Sequence, residues 1–335
     1  MKYSIAIRTL GTSGEKFVRE LESIKRQTVQ PEKVVIYIAE GYARPEYTIG
    51  KEEYVWVKKG MMRQRVLRYE EIDSPLILLL DDDVELASDS AEKMIHALNE
   101  YHLDCIAADT FRNHKMPLSG KLYAAVTNLV FPHYSNKWAF KIHSNGSFSY
   151  NNRVMRDVYL SQSAAGPASL WKKDVFLALH LTDELWLEKF GFPYGEDALT
   201  FNKLYKNGHR LAVHYNSGII NLDGKSSSGS FQRDPKKFYT RSCASFLIWH
   251  RTCYNLKGLP AYKKTWAALG FTFKTLWLFL IHVLASVYLR SPKVVFNYTK
   301  GICDGLKIIR SNEYRQIPNY ILKNYQYGMT KTSTS

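Results

Sequence analysis

The chain has 335 residues, of which 45% are hydrophobic and 14% aromatic, so it can bury one or two hydrophobic cores and is not a disordered protein. Its formal net charge is +15, and residues 241–335 hold 14 Lys or Arg against two acids, a net +12 that leaves +3 for residues 1–240. The four cysteines form no C-x-x-C pair, which argues against a cysteine metal site and favours a reducing, cytoplasmic location.

Apolar strands alternate with amphipathic helices through the first 110 residues. The strands are unbroken apolar runs such as K-V-V-I-Y-I-A at 33–39, and such runs are typical of parallel sheets buried on both faces. We therefore predict an α/β, Rossmann-like fold with a mostly parallel sheet and helices on both faces. The predicted strands are 3–8, 33–39, 54–57, 76–80 and 104–108, and the predicted helices are 14–27, 61–72 and 88–101.

The middle of the chain is less regular. Residues 111–165 are rich in Gly, Asn, Ser and aromatic residues, and we predict irregular structure there. Two helices at 178–190 and 193–206 and a strand at 210–215 follow. These elements complete a first domain, which we place at residues 1–240.

Residues 241–335 are predicted to form a basic, helical second region. The fifteen-residue apolar run at 275–289 is shorter than the roughly 20 residues that span a bilayer. Apolar residues from Val295 to Ile309 then recur at helical spacing, with Lys and Arg off that face. The pattern favours an anionic membrane surface as partner, rather than nucleic acid. A single span, or a helical subdomain with a solvated basic face, is the alternative.

Three carboxylates end one of the predicted strands. Asp81, Asp82 and Asp83 follow L-I-L-L-L, and two charges about 4 Å apart in a partly screened site repel by roughly 4 kcal/mol. A solvated acidic turn would explain them. The alternative is a site for Mg²⁺ or Mn²⁺, hard cations that take carboxylate oxygens. Because ligands bind beyond the carboxyl ends of strands in such sheets, the cluster and Glu40, which follows another strand, should face one crevice.

Two further groups of charged residues have both a structural and a chemical interpretation. Glu196 and Asp197 begin a predicted helix, where acids commonly complement the helix dipole, but either could also serve as a general base. Arg65 precedes the acidic strand and would suit an anionic ligand, whereas Arg63 and Arg68 are more simply explained as a solvated helix face.

The order of these features resembles the family 2 glycosyltransferases of the GT-A fold. Arg8-Thr9 ends the first strand, and L-E-S-I-K-R-Q-T-V-Q-P-E-K-V-V-I-Y at 21–37 is similar to the family's L-x-S-I-x-x-Q-T-x-x-P-x-x-I-I-V. K-G-M-M-R-Q-R at 59–65 and L-L-L-D-D-D-V at 78–84 follow in the family's order. G-P-A-S-L-W-K-K-D-V-F at 166–176 and F-P-Y-G-E-D-A-L-T-F-N-K-L at 192–204 then resemble the family's acceptor-side segment. The resemblance covers roughly residues 1–240.

The resemblance implies an inverting hexosyltransferase that uses a nucleotide sugar, most often UDP-linked, with Mg²⁺ or Mn²⁺. It implies metal binding by Asp81 and Asp83, and a catalytic base at Asp197, with Glu196 beside it. The acceptor would be a saccharide or lipid-linked saccharide at the cytoplasmic face of the membrane, in cell-surface polysaccharide synthesis. The residues implied to contact the donor nucleotide are Arg8, Thr9, Glu40, Arg65, Asp81 and Asp82.

The chain departs from the family pattern at two places. Glu40 stands where the family usually has Asp, and the loop that often supplies a His ligand here reads I-I-N-L-D-G, so Asp223 is a candidate third metal ligand. The Q-x-x-R-W element of processive enzymes is absent, which favours transfer of one sugar. Two alternatives stay open: a sugar-nucleotide nucleotidyltransferase, for which G-T-S-G at 11–14 is a faint phosphate loop, and a non-catalytic membrane-binding protein on the same fold.

Overall fold

The computed structural model of the protein describes residues 1–110, 134–151, 153–189, 194–223 and 236–322, with isolated positions 118, 122, 125 and 126. The strands in this part of the chain are β1 Tyr3–Thr9, β2 Val34–Ala39, β3 Glu52–Val57, β4 Leu76–Asp81, β5 Val84–Leu86, β6 Cys105–Ala108, β7 Phe140–Ile142, β8 Phe148–Tyr150, β9 Val158–Leu160, β10 Ala168–Lys172, β11 Leu211–His214 and β12 Ile219–Asn221. The helices are α1 Glu15–Lys25, α2 Met61–Arg65, α3 Ser90–Glu100, α4 Lys173–Ala178, α5 Trp186–Lys189, α6 Glu196–Lys206, α7 Lys236–Trp249, α8 Ala261–Tyr288, α9 Lys293–Ile308 and α10 Asn312–Arg315.

Eight strands form the central sheet, in the order β3-β2-β1-β4-β10-β6-β11-β9. The pairs β2–β3, β1–β2, β1–β4 and β6–β11 are parallel, whereas β10 runs antiparallel between β4 and β6 and β9 is an antiparallel edge. The predicted α/β class with a mostly parallel sheet is confirmed. The strand β10 was missed by the sequence analysis, which gave residues 168–172 no element.

Hydrophobic side chains cover both faces of the sheet. Within β1, Ile5 and Ile7 face one cluster, with α1 and α3, while Ala6 faces the other, with α2, α4 and α6. The second of these clusters also receives side chains of α7, including Phe246 and Trp249. Helix α7 runs through position 240, so the proposed boundary between the two domains falls inside one helix.

Two predicted helices are shorter than the sequence suggested. Helix α2 ends at Arg65, and buried Tyr69 lies beyond it with a left-handed φ of 53°, packed edge-on against Tyr37. The predicted helix at 178–190 is broken at His180, whose φ of 48° separates α4 from a 3₁₀ turn at Leu181–Glu184 and from α5. Left-handed residues interrupt the i to i−4 bonding pattern. His180 therefore divides the helix predicted at 178–190, and Tyr69 is incompatible with a helix that continues to residue 72.

A buried ion pair connects the body to the C-terminal helices. Glu184 accepts hydrogen bonds from Nε and Nη2 of Arg251, at 3.0 and 2.8 Å, and both side chains are buried. Arg251 belongs to a π-helical turn at His250–Tyr254 that continues α7. Helix α8 follows and is much longer than the predicted apolar run. Over its 28 residues it is long and apolar enough to cross a membrane, with 22% of its most apolar window buried.

Candidate active site

The candidate site is a crevice at the carboxyl ends of β1 and β4. These strands are parallel neighbours, and their register places Arg8 directly beside Asp81. The crevice has a volume of about 270 Å³. It therefore brings together several residues that the sequence analysis selected separately. It is lined by Arg8, Thr9, Leu10, Thr12, Ser13, Met61, Gln64, Arg65, Asp81, Asp82 and Asp83.

Two guanidinium groups neutralise the first carboxylate of the cluster. Nη2 of Arg8 lies 2.8 Å from Oδ1 of Asp81, and Nη2 of Arg65 lies 3.2 Å from Oδ2. Arg8 is also held by the carbonyl oxygen of Gly166, at 3.3 Å, and is itself buried. Both oxygens of Asp81 thus already have a cationic partner, which removes part of the repulsion within the cluster.

The other two carboxylates have no Lys or Arg within ion-pair distance among the described residues. Asp82 accepts a hydrogen bond from the hydroxyl of Thr9, and Asp83 accepts one from Nδ2 of Asn221, at 3.1 Å. Burial raises the pKa of Asp82. Burial and then the charges of Asp81 and Asp82 raise the pKa of Asp83 to about 6. A divalent cation would relieve this accumulation of negative charge.

The donor set fits a hard divalent cation in part. Asp82 and Asp83 supply carboxylate oxygens at the crevice wall. Within the described ranges, no group of three His, Cys, Asp or Glu side chains could hold a metal ion. A cation bound here would therefore complete its coordination with water or with oxygens of a bound phosphate, as Mg²⁺ commonly does.

The segment after β12 lies against the acidic cluster. Strand β12 pairs with β5, and the backbone N–H of Leu222 donates to the carbonyl of Asp83, at 2.7 Å. Asp223, the candidate third metal ligand, forms an ion pair with Lys16. Its position beside the cluster agrees with that assignment, but its bond to Lys16 would compete with a metal. The assignment of Asp223 stays a prediction.

The second pair of carboxylates lies on the other side of Arg65. Helix α6 begins with Glu196 and Asp197 after Gly195, whose φ of 85° turns the chain into the helix. Nη1 of Arg65 lies 3.2 Å from Oδ1 of Asp197, and Nη2 lies 3.7 Å from Oε1 of Glu196. Burial raises the pKa of both carboxyls, and at each of them the charge of Arg65 opposes the shift. Carboxyls with raised pKa values beside a polar crevice are candidates for proton transfer.

The two carboxylates differ in access and in support. The side chain of Asp197 is 30% exposed and that of Glu196 is 12% exposed. Oδ2 of Asp197 also accepts a hydrogen bond from the backbone N–H of Gly166, at 2.9 Å. Asp197 is thus both the more accessible carboxylate and the one fixed from two sides. This favours Asp197 over Glu196 as the group that meets a substrate.

Gly166 begins the segment at 166–176 that resembles the family's acceptor-side segment, but the sequence analysis gave this glycine no role of its own. A Cβ atom at this position would collide with Oδ1 of Asp197 and lie 2.7 Å from Nη1 of Arg65. The carbonyl of Gly166 accepts a hydrogen bond from Arg8, and its N–H donates to Asp197. The backbone of this residue therefore connects the acidic crevice to the start of α6. The signal available in the sequence was a Gly-Pro pair directly before a short strand, where close backbone approach is common.

Glu40 lies apart from the other predicted residues. It is exposed at the end of β2, and it does not appear among the described residues that line the crevice. Beside it, Nζ of Lys59 donates to the hydroxyl of Tyr42, at 2.6 Å, and lies 4.8 Å from the centre of that ring. Glu40 therefore shares the predicted edge of the sheet, but its contact with a nucleotide stays a prediction.

Buried Glu20 was also missed by the sequence analysis. It lies on α1, fully buried, and neither carboxylate oxygen has a hydrogen-bond partner within the described part of the chain. Burial, and then the charges of the Asp81–Asp83 cluster, raise the pKa of Glu20 well above its usual value. Nothing in the amphipathic pattern of α1 distinguished this glutamate from a solvated one.

No family model matches the chain, and no curated protein matches it either. Among solved structures, it is similar to that of S. aureus TarS residues 1–349, with 12% identity, a TM-score of 0.46 and 92% of each chain covered. The structure of the same TarS segment in complex with UDP-GlcNAc gives 11% identity, a TM-score of 0.45 and 92% of each chain covered. At this level of similarity the site must be interpreted from its own geometry.

Proposed function

We propose that the chain is a divalent-metal-dependent, inverting glycosyltransferase that moves one sugar from a nucleotide donor, most simply a UDP-sugar, to an acceptor hydroxyl. The observation that carries the proposal is the position of Arg65. Its guanidinium joins Asp81 in the acidic crevice to Asp197 at the start of α6, at 3.2 Å on each side. The crevice proposed to bind the donor phosphates and the proposed proton acceptor Asp197 thus contact the same arginine side chain, which would hold the reacting groups close together.

The donor diphosphate would occupy the crevice. Arg8 and Arg65 both form ion pairs with Asp81 and could also bind phosphate oxygens of the donor. The several N–H groups of a guanidinium allow it to contact a carboxylate and a phosphate together. When bound, Mg²⁺ or Mn²⁺ held by the Asp81–Asp83 cluster would neutralise negative charge on the leaving diphosphate. The predicted ligands are Asp81 and Asp83, but Asp81 already has two arginine partners, so Asp82 has more capacity than Asp81 to join Asp83 at the cation.

The acceptor would approach from the side of α6. Asp197 takes the proton from the attacking hydroxyl, and Arg65 with the N–H of Gly166 holds the carboxylate in one orientation. Attack from the side opposite the diphosphate gives inversion at the anomeric carbon. Glu196 is less exposed and lies 3.7 Å from Arg65, so it would support the position of that guanidinium.

The acceptor proposed here is a saccharide or lipid-linked saccharide at the cytoplasmic face of the membrane. The support for this part is the excess of +12 in residues 241–335 and the long apolar helix α8. Basic segments contribute about 1 kcal/mol per Lys or Arg near an anionic surface. Such an enzyme would act in cell-surface polysaccharide synthesis.

A panel of nucleotide sugars tested by thermal shift, with Mn²⁺ and with EDTA, would identify the donor. We expect one nucleotide sugar to raise the melting temperature in Mn²⁺ and to lose that effect in EDTA. Metal-dependent release of UDP from that donor would then establish transfer or hydrolysis. Release of pyrophosphate from a nucleoside triphosphate and a sugar phosphate would instead indicate a nucleotidyltransferase. A protein that binds none of these ligands would overturn the proposal.

A further inference from the structure

Helix α8 carries a continuous apolar stripe on its exposed side. Eight large apolar side chains in the stripe are each 53–73% exposed. At 100° per residue they fall within about 80° of the helix circumference, and at 1.5 Å per residue the stripe is about 38 Å long. An exposed apolar area of this size on a soluble protein marks a surface that another apolar phase covers. The stripe consists of Tyr262, Trp266, Leu269, Phe273, Leu276, Leu280, Leu284 and Val287.

The opposite side of α8 is fixed to the protein body near the middle of the helix. The ring of Phe271 stacks on that of Trp249, with centroids 4.0 Å apart. Nζ of Lys274 donates to the carbonyl of Gly146, at 2.7 Å. A Cβ atom at Gly270 would lie 3.2 Å from Cβ of Asn145, so the helix backbone approaches the turn between β7 and β8 closely.

This attachment decides the orientation of the helix. A spanning helix would place its centre, near Lys274, in the middle of a hydrocarbon layer about 30 Å thick. The turn between β7 and β8, with buried Asn145 and Ser147, would be drawn in with it. Irregular backbone and polar side chains are costly in hydrocarbon. We infer that α8 lies in the plane of an anionic membrane, with the stripe in the acyl chains and the body on the aqueous side.

The charges on and near α8 favour an anionic bilayer over a second copy of the chain. The helix contains three lysines and no acid; Lys274 is bonded to the body, and Lys263 and Lys264 lie outside the stripe at the start of the helix. Arg290 and Lys293 follow at its end and are exposed. Two copies packed stripe to stripe would bring cations together with no acid on either helix to pair them, whereas anionic headgroups would neutralise them. An apolar face flanked by cations is typical of helices that lie in the membrane interface.

The inference rests on the membrane attachment within the proposed function and adds its geometry. An in-plane helix does not cross the bilayer, so the crevice and its acceptor stay on one side of the membrane. The acceptor class that fits is therefore a headgroup-linked saccharide reached from that side, without passage of the chain through the bilayer.

Depth measurement on the full-length protein tests this orientation. Exposed Cys303 is replaced by Ser, and single cysteines for spin labelling are introduced as Trp266→Cys, Leu276→Cys and Val287→Cys. With vesicles of phosphatidylglycerol and phosphatidylcholine, we expect all three labels at a similar, shallow depth. A label at 276 near the bilayer centre, with shallow labels at 266 and 287, would establish a spanning helix and overturn the inference.

Vesicle flotation with variants tests the stripe itself. Leu276→Glu combined with Leu280→Glu should lower the bound fraction by about tenfold or more, because both side chains would carry charge into the acyl region. Met155→Glu is the matched control, since Met155 is 87% exposed on the body, and it should bind as the wild type does. Absence of vesicle binding together with a dimer that the double variant disrupts would show that a second copy covers the stripe.

Failure of this inference can be separated from failure of the proposed chemistry. The stripe residues lie outside the crevice, so the double variant should bind UDP with Mn²⁺ as the wild type does. Shallow labels in a protein that binds no nucleotide would support the helix orientation and count against the glycosyltransferase. A protein that binds UDP normally but does not bind vesicles would overturn the inferred helix orientation and leave the proposed chemistry intact.

Discussion

Nη1 of Arg65 lies 3.2 Å from Oδ1 of Asp197. These residues are far apart in sequence and come from α2 and from the first turn of α6. The other terminal nitrogen of the same guanidinium binds Asp81. One guanidinium thus bridges a carboxylate of the acidic crevice and a carboxylate at the start of α6. The predictions for both sides of the site depend on this shared arginine.

The acidic crevice should bind UDP only with a divalent cation. We expect calorimetry to show at least about tenfold weaker binding in EDTA than in Mn²⁺, because the diphosphate would otherwise meet three carboxylates. Asp83→Asn should weaken binding in Mn²⁺ to a similar extent. Asp73→Asn, at an exposed acid ahead of β4, is the control and should have no effect. Equal affinity in Mn²⁺ and EDTA would contradict the metal assignment.

Asp197 should be the catalytic base. Asp197→Asn is expected to lower kcat by roughly 10²–10⁴, the usual contribution of a positioned base, while UDP affinity changes little. Glu196→Gln should have a smaller effect on kcat and should raise the acceptor KM, since Glu196 is the less exposed carboxylate. Transfer rates measured beside UDP affinity distinguish the two. A Glu196→Gln enzyme without activity but with intact donor binding would move the base to Glu196.

The buried pair Glu184–Arg251 should contribute strongly to stability. Within the described part of the chain, Arg251→Met leaves the buried Glu184 with Lys203, at 3.3 Å, as its one cationic partner. Removing one member of a buried pair typically costs about 3–5 kcal/mol of unfolding free energy. Lys307→Met is the control, because its pair with Asp304 is exposed and should contribute at most about 1 kcal/mol. Urea denaturation measures both, and similar losses for the two variants would refute the prediction.

Buried His250 should make the protein sensitive to acid. Burial, and then the charge of Arg251, lower the pKa of His250 from 6.5 to about 4. The unfolded chain therefore binds this proton at a higher pH than the folded protein, and stability is lost as the pH falls from about 6.5 to about 4. The variant His250→Asn can keep the hydrogen bond to the hydroxyl of Tyr314. Over that pH interval it should lose up to roughly 3 kcal/mol less unfolding free energy than the wild type. Urea denaturation at pH 7 and pH 4.5 gives the unfolding free energies of the wild type and the variant. An equal loss in both proteins between the two pH values would contradict the role assigned to His250.

The hydrophobic pattern was sufficient to predict most of the sheet, but neither β10 at its centre nor β9 at its edge. The apolar strands β2 and β4, and β1 with its apolar centre, were predicted close to their observed bounds. Strand β10 was missed because A-S-L-W-K is short and mixed, and its strand structure depends on pairing with both β4 and β6. Such pairing is a tertiary effect that a local pattern does not contain.

The residues of the candidate site were selected from sequence, but their partners were not. The carboxyl ends of parallel strands meet at one edge, and this general rule predicted one crevice for the Asp81–Asp83 cluster and Glu40. The structure places Arg8 and Arg65 beside Asp81 instead, and Glu40 is not among the described residues that line the crevice. Which carboxylate the arginines would neutralise depends on the register of β1 against β4 and on the position of α2. Similarly, the predicted apolar run begins at residue 275, whereas α8 begins at Ala261 and includes Lys274, whose ammonium group donates to the Gly146 carbonyl.

Helices α7 and α9 approach each other along a seam of small residues. A Cβ atom at Gly301 would collide with the Ser242 hydroxyl, and one at Gly305 would lie 2.8 Å from the ring of Phe246. Backbones in such close contact favour movement of α7 and α9 as one unit. If α8 rests on a membrane as inferred above, this packing would help to keep the crevice at one height above the bilayer. An acceptor anchored in that bilayer would then be selected by the length that reaches the crevice.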